Sequence, residues 1–182
     1  MKRTLNYTQI QIKFNLLYDN NNSLQNKIKI YNLNGTSYST SLQIDATIEP
    51  AEGWELKFAQ KWNETKTTYG ENGSSTTTYM PFVSKYRSLA QVSYAAWQNK
   101  WDINITLQNI GPSRVPAKGE QAESWSPNFN LLSGQFTKRF KRFDWYIGIE
   151  NALSFTQENP IRSIESPFSP EFDAAMIWGP VM

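Results

Sequence analysis

The sequence contains neither cysteine nor histidine. Without cysteine there is no disulfide framework and no thiolate metal site. Without histidine the commonest general base and the commonest metal ligand are both gone. Any enzyme built on this chain would have to work with carboxylates, lysines or hydroxyls. Charge is sparse and nearly balanced, 18 Lys and Arg against 16 Asp and Glu for a net +2, so no surface for nucleic acid or for an acidic partner is indicated. No apolar run approaches the roughly 20 residues of a transmembrane helix. The basic N-terminus passes straight into an alternating strand, with no apolar signal core behind it. A mean hydropathy of -0.58 would ordinarily denote a soluble protein. One class escapes that inference, because a membrane β-barrel shows lipid only every second residue.

What the chain does have is period-two alternation. Within residues 8–16 the apolar positions are Ile10, Ile12, Phe14 and Leu16, and a weaker strand over 24–33 centres on Ile28 and Ile30. Asn34-Gly35 then marks a reversal. Residues 41–49 place Leu42, Ile44, Ala46 and Ile48 on one face, against Gln43, Asp45 and Thr47 on the other. A short turn at Pro50-Ala51-Glu52 sets Ala46 opposite Leu56 and Ile44 opposite Phe58, in a strand that runs out near Thr65. After a polar loop over 66–85, the strand 87–97 presents Ala90, Val92, Tyr94 and Ala96. A two-residue turn at Asn99-Lys100 matches these to Asn109, Leu107, Ile105 and Ile103.

The last hairpin is the sharpest. A turn at Lys141-Arg142 sets Phe140 opposite Phe143, Lys138 opposite Trp145, Phe136 opposite Ile147 and Gly134 opposite Ile149, a largely apolar face. The other face pairs Arg139 with Asp144, Thr137 with Tyr146, Gln135 with Gly148 and Ser133 with Glu150, in a strand predicted to reach residue 154. Three regularities follow. All nine prolines fall outside the strands. Short turns at 50–52, 99–100 and 141–142 alternate with long segments at 66–85, 112–128 and 156–182, so that an up-and-down sheet has its turns at one end and its loops at the other. Trp54, Trp97, Trp101, Phe140, Phe143 and Trp145 gather beside the short turns, as in the girdle where lipid meets water. A strand of about 10 residues tilted at roughly 45° spans about 24 Å, close to the apolar band of an outer-membrane barrel.

Chemistry is thin. Asp45 and Asp102 lie within strands, Glu150 on the polar face, and Glu120 and Glu123 in a loop, with no spacing that singles out an acid/base pair. The Gly70 to Gly73 segment lacks the Lys-Ser/Thr of a phosphate loop. Lys138, Arg139, Lys141 and Arg142 form the one basic cluster, of the kind that snorkels beside a membrane or balances neighbouring acids. Lys57, Gln91, Gln108, Gln135 and Glu150 suit a watery lumen and suit the solvent face of an ordinary sheet equally well. No catalytic, cofactor-binding or metal-binding residue is expected, and an enzyme is the least favoured reading.

The run from Thr137 to Phe140 and on through Trp145 to Asn151, then Phe155, Glu158-Asn159-Pro160-Ile161, and Phe172 to Pro180, resembles the C-terminal barrel region of TonB-dependent outer-membrane receptors. Lys66 to Gly70 and Pro81 to Tyr86 are similar to preceding segments of that family. The resemblance implies an all-β, antiparallel, up-and-down transmembrane barrel of about 22 strands around a plug. It would import a scarce nutrient (an iron chelate, corrinoid, glycan or peptide) across the outer membrane, its partners being the lipid bilayer and the inner-membrane TonB complex. Residues 1–182 would be about eight of its strands, without signal, plug or closing strand, and the chain alone would transport nothing. The alternatives are a complete eight-stranded membrane barrel acting as an anchor or adhesin, and a soluble β-sandwich or lipocalin-like binding module. If lipid lies against Ile147, Ile147→Arg should cost about 2–4 kcal/mol.

Overall fold

A computed structural model describes residues 2–19, 27–69, 76–96, 100–115, 124–158, 165, 168 and 177–181. Among these there are ten strands and no helix: β1 (Lys2–Asp19), β2 (Lys27–Ile48), β3 (Trp54–Tyr69), β4 (Thr76–Tyr79), β5 (Tyr86–Ala96), β6 (Trp101–Ile110), β7 (Arg114–Val115), β8 (Ser124–Trp125), β9 (Phe129–Arg139) and β10 (Asp144–Ile149). The main sheet is an antiparallel meander in the order β1-β2-β3-β5-β6-β9-β10, with β4 folded back on the distal end of β3 and β7 paired with β8 outside it. No ladder joins β1 to β10 among the described residues. The described prolines all lie outside the strands, which keeps every ladder donor in place.

Pairing at β9–β10 follows the expected register throughout, from Asp144 opposite Arg139 to Ile149 opposite Gly134. Phe140 N–H donates to Phe143 O at 2.9 Å and the two rings stack at 4.6 Å, so the two-residue turn is closed by both backbone and side chains. The other two short hairpins are each displaced by two residues from expectation. Ala46 lies opposite Phe58, because the chain turns at Ala51 to Trp54, with Trp54 N–H on Ala51 O at 3.1 Å and Gly53 at a φ of 81°. Tyr94 lies opposite Ile103, the ladder ending at Ala96 opposite Trp101, which leaves four residues in the connection rather than two. Trp97 and Asn99 lie outside the described residues. A two-residue displacement preserves side-chain parity, so the same residues share a face in both hairpins.

Other expectations are corrected. Asn34-Gly35 is no reversal: β2 runs through it as a single strand of 22 residues. The ladder with β1 slips there, Ile12 lying opposite Ser37 and Phe14 opposite Asn32, so a bulge absorbs the residues that the dipeptide suggested as a turn. β1 starts at Lys2 rather than Thr8, and β3 continues past Thr65 to Tyr69 because β4 supplies it with a partner. β10 stops at Ile149, short of residue 154. Asn151 and Ser154 adopt φ values of 48° and 51°, and the Asn151 amide binds both the N–H and the C=O of Phe155, turning the chain out of the sheet.

The sheet has two unlike faces. On one, the rungs read Trp54, Tyr94, Ile103, Phe136, Ile147, then Leu56, Val92, Ile105, Gly134, Ile149, then Ala46, Phe58, Ala90, Leu107, Leu132. These side chains are not covered: Phe58 is 49% exposed, Ile105 49% and Ile147 60%. The only buried apolar residues among those described are Val115 and Phe129, and neither belongs to this face. The opposite face carries Asp45, Lys57, Lys61, Gln91, Asn104, Thr106, Gln135 and Thr137.

Candidate functional site

The short-turn end of the apolar face is aromatic. Trp54 meets Tyr94 at 4.6 Å between ring centroids, and Phe136 meets Trp101 at 5.2 Å and Trp145 at 6.1 Å. Lys138 shares this face and lays its ammonium 4.2 Å from the Trp101 ring and 5.0 Å from Phe140, its stem along apolar surface. A second aromatic row, not anticipated from the sequence, stands toward the loop end: Trp62 lies opposite Leu42 on one side and Tyr86 on the other, with Tyr7 next in the row. Its signal was present, since alternation carried beyond Phe58 reaches Trp62. Eight residues of β3 separate the two rows, roughly 26 Å along the strand.

One polar rung crosses the apolar face just below that second row. Ile44, Gln60, Ser88, Asn109 and Asn130 stand side by side. Ser88 donates to Gln60 Oε1 at 2.5 Å, and the Asn109 amide donates to Asn130 Oδ1 at 2.7 Å. These groups satisfy one another in pairs across the strands.

The polar face holds the expected hydrophilic residues in the expected places. Lys57 lies opposite Gln91, whose amide reaches Ser93 Oγ at 3.2 Å, and Gln135 reaches Thr137 Oγ1 at 3.1 Å. The carboxylates remain scattered. Asp45 accepts two bonds from the Gln43 amide at 3.0 and 3.1 Å, while Asp102 accepts from Asn104 and faces Arg139 at 3.9 Å. Arg139 and Asp144, paired by the sequence, are indeed opposite in the ladder. Glu150 sits at the end of a concavity with Tyr146, Gly148 and Asn151. Glu120, Glu123 and the Gly70 to Gly73 segment lie outside the described residues.

The loop end is held by buried hydroxyls together with a small aromatic cluster. Ser84 bridges to Ser113, whose N–H donates to Ser126 Oγ at 2.8 Å, and all three are buried. Thr68 N–H donates to the fully buried Ser37 Oγ at 2.9 Å. Lys85 sits 4.8 Å from the Tyr79 ring and 3.9 Å from Trp125, fastening β4 to β8. Phe129, at the loop end of the polar face, stacks on Phe155 at 4.6 Å and contacts Trp178 at 5.8 Å. The Gln157 side-chain Oε1 accepts from the N–H groups of Trp178 and Gly179, so residues 155–157 and 177–180 form one small lid over that corner.

Above the Trp62 row, Lys66 pairs with Glu64 at 2.7 Å and Tyr38 donates to the same carboxylate at 3.2 Å. The hydrogen bond from Lys66 holds Glu64 below its ordinary value despite slight desolvation, and reciprocally raises Lys66. Nearby, Phe82 adopts a φ of 61°, a left-handed conformation costing a bulky residue on the order of 1–3 kcal/mol.

Compared with protein-family models, with curated proteins and with solved structures, the chain shows no significant match.

Proposed function

We propose that this chain is part of an outer-membrane β-barrel transporter of the TonB-dependent receptor type, taking up a scarce nutrient. One observation carries the reading: an apolar face, crossed by a single polar rung and bounded by two aromatic rows, is left uncovered, while the buried side chains among the described residues are polar apart from Val115 and Phe129. Water would penalise that face, and lipid would not. The spacing of the rows and the segregation of turns from loops agree with a membrane strand. The sequence resemblance adds the receptor class. The same reading makes the free edges of β1 and β10 the places where further strands join, because an open edge is not tolerated in lipid.

Two other readings remain distinguishable. A small closed barrel needs a ladder between β1 and β10, and a soluble sandwich needs a second layer over the apolar face. The test is solubility and gel migration of the purified chain. Dependence on detergent is expected. Heat-modifiable migration of the chain by itself would favour the small closed barrel, and a detergent-free monomer with a cooperative melt would overturn both membrane readings. As part of a receptor, the chain by itself should confer no nutrient uptake on cells lacking other receptors, and uptake there would refute the assignment.

A further inference from the structure

On the polar face near the loop end, Lys61 of β3 and Arg87 of β5 stand directly opposite one another in the ladder. Like charges in that position, with Cβ atoms about 4.5–5.5 Å apart, repel. Among the described residues neither forms an ion pair; the Arg87 Nε donates only to the neutral Ser84 Oγ, at 3.1 Å. The nearest acid on the neighbouring strand, Asp45, lies one same-face position further along β2 and is held by the Gln43 amide. Both cations line a concavity of about 750 Å³ whose walls are hydroxyl, amide and apolar groups, with no carboxylate among them. Ser41 and Asn63 supply neutral donors, and Met80 and Phe82 form an apolar rim. These two are 40% and 41% exposed, and Phe82 is kept there by a backbone conformation its side chain disfavours.

We propose that this concavity binds an organic anion, its carboxylate or phosphate clamped between Lys61 and Arg87 and its apolar body resting on Met80 and Phe82. Bound anion converts the cross-strand repulsion into two charge-assisted hydrogen bonds, the arrangement that arginine in particular favours. The inference needs only that the polar face meet water. It therefore does not depend on the membrane reading, although for a transporter it would make the cargo, or a part of it, anionic.

The test is calorimetric titration of the full chain, folded in detergent micelles, with phthalate and separately with inorganic phosphate. Phthalate should bind more tightly than phosphate. The Lys61→Gln/Arg87→Gln pair should weaken both at least about tenfold, as expected for lost charge-assisted contacts. Phe82→Ala should abolish the preference for phthalate and retain phosphate. Lys57→Gln, on the same face but away from the rung, should change neither. The proposal is overturned if neither anion binds, if the double variant with unaltered far-UV dichroism binds as the parent does, or if Lys57→Gln weakens binding equally. Solubility without detergent would sink the membrane reading and leave this titration to be read as before.

Discussion

Along β6, Ile103, Ile105 and Leu107 stand 40–49% exposed on one side, while Asp102, Asn104 and Thr106 stand on the other, less exposed and partly bonded to one another. Buried hydroxyls recur elsewhere in the molecule, although on β10 both sides are exposed. Thr65, Thr67, Thr68, Ser84, Ser113, Ser126 and Thr137 are buried, whereas Leu, Ile, Phe and Trp side chains of the apolar face are not. In a water-soluble fold, burial of apolar surface supplies the main driving force. Here the apolar side must find its environment outside the described residues, and the comparison of the two sides becomes an experiment.

The largest contrast should come from placing one charge on each side of adjacent positions. Ile105→Arg should lower stability by about 2–4 kcal/mol if lipid lies against it. Thr106→Arg, one residue on, should cost less than about 1 kcal/mol because water reaches it. Urea titration of folding into lipid vesicles measures both. Equal costs would erase the distinction between faces, and Ile147→Arg extends the same test to β10.

That the two faces could be named from the sequence has a specific physical basis. Side-chain direction depends on parity alone, so displacing the hairpins at Gly53 and after Ala96 by two residues left Phe58, Val92 and Ile105 on their expected side. Where an odd displacement occurs, parity fails. The ladder slip after Ile12 is of that kind, and before it, where no predicted hairpin set the pairing of β1 with β2, Ile10 lies opposite Ser39, on the polar side, although it reads as one of an apolar set. Asn34-Gly35 misled for a related reason, since a bulge and a turn use the same residues. The β9–β10 register was legible because Phe140 and Phe143 close a turn with no residue to spare. The Lys61–Arg87 rung was not, because it depends on pairing β3 with β5 across a long connection whose length fixes no register.

A smaller effect is expected at the polar rung that interrupts the apolar side. Asn109→Leu leaves the Asn130 carbonyl without its 2.7 Å partner and should cost about 1–2 kcal/mol in lipid. Adding Asn130→Leu should recover most of that loss, giving a clear coupling in a double-mutant cycle. Gln135→Leu, on the polar side, should show no such rescue with Thr137→Val, because water can replace the bond between them. Coupling of equal size on both sides would mean that both are equally wet. Smaller again is Lys138→Met, which removes the cation lying over Trp101 and should cost about 0.5–1 kcal/mol in the same titration.

The smallest expected change comes from the Glu64–Lys66 pair above the Trp62 row, where the apolar side ends. Glu64 is lowered from 4.5 chiefly by its hydrogen bond from Lys66, so its contribution is complete above that value and is lost as pH falls through the lower folded one. Lys66 is raised from 10.5 by the same bond, so its contribution is complete below that value and is lost only as pH rises through the higher folded one. Between those limits the pair should leave stability independent of pH. Because both groups are solvated, the acid-side loss should be slight and should shrink further in salt. Comparing parent with Glu64→Gln by urea titration at pH 3 and pH 7 isolates it. A large difference at pH 7 that survives high salt would show that Glu64 is shielded from water, and would push the boundary of the apolar region beyond Trp62 toward the loops.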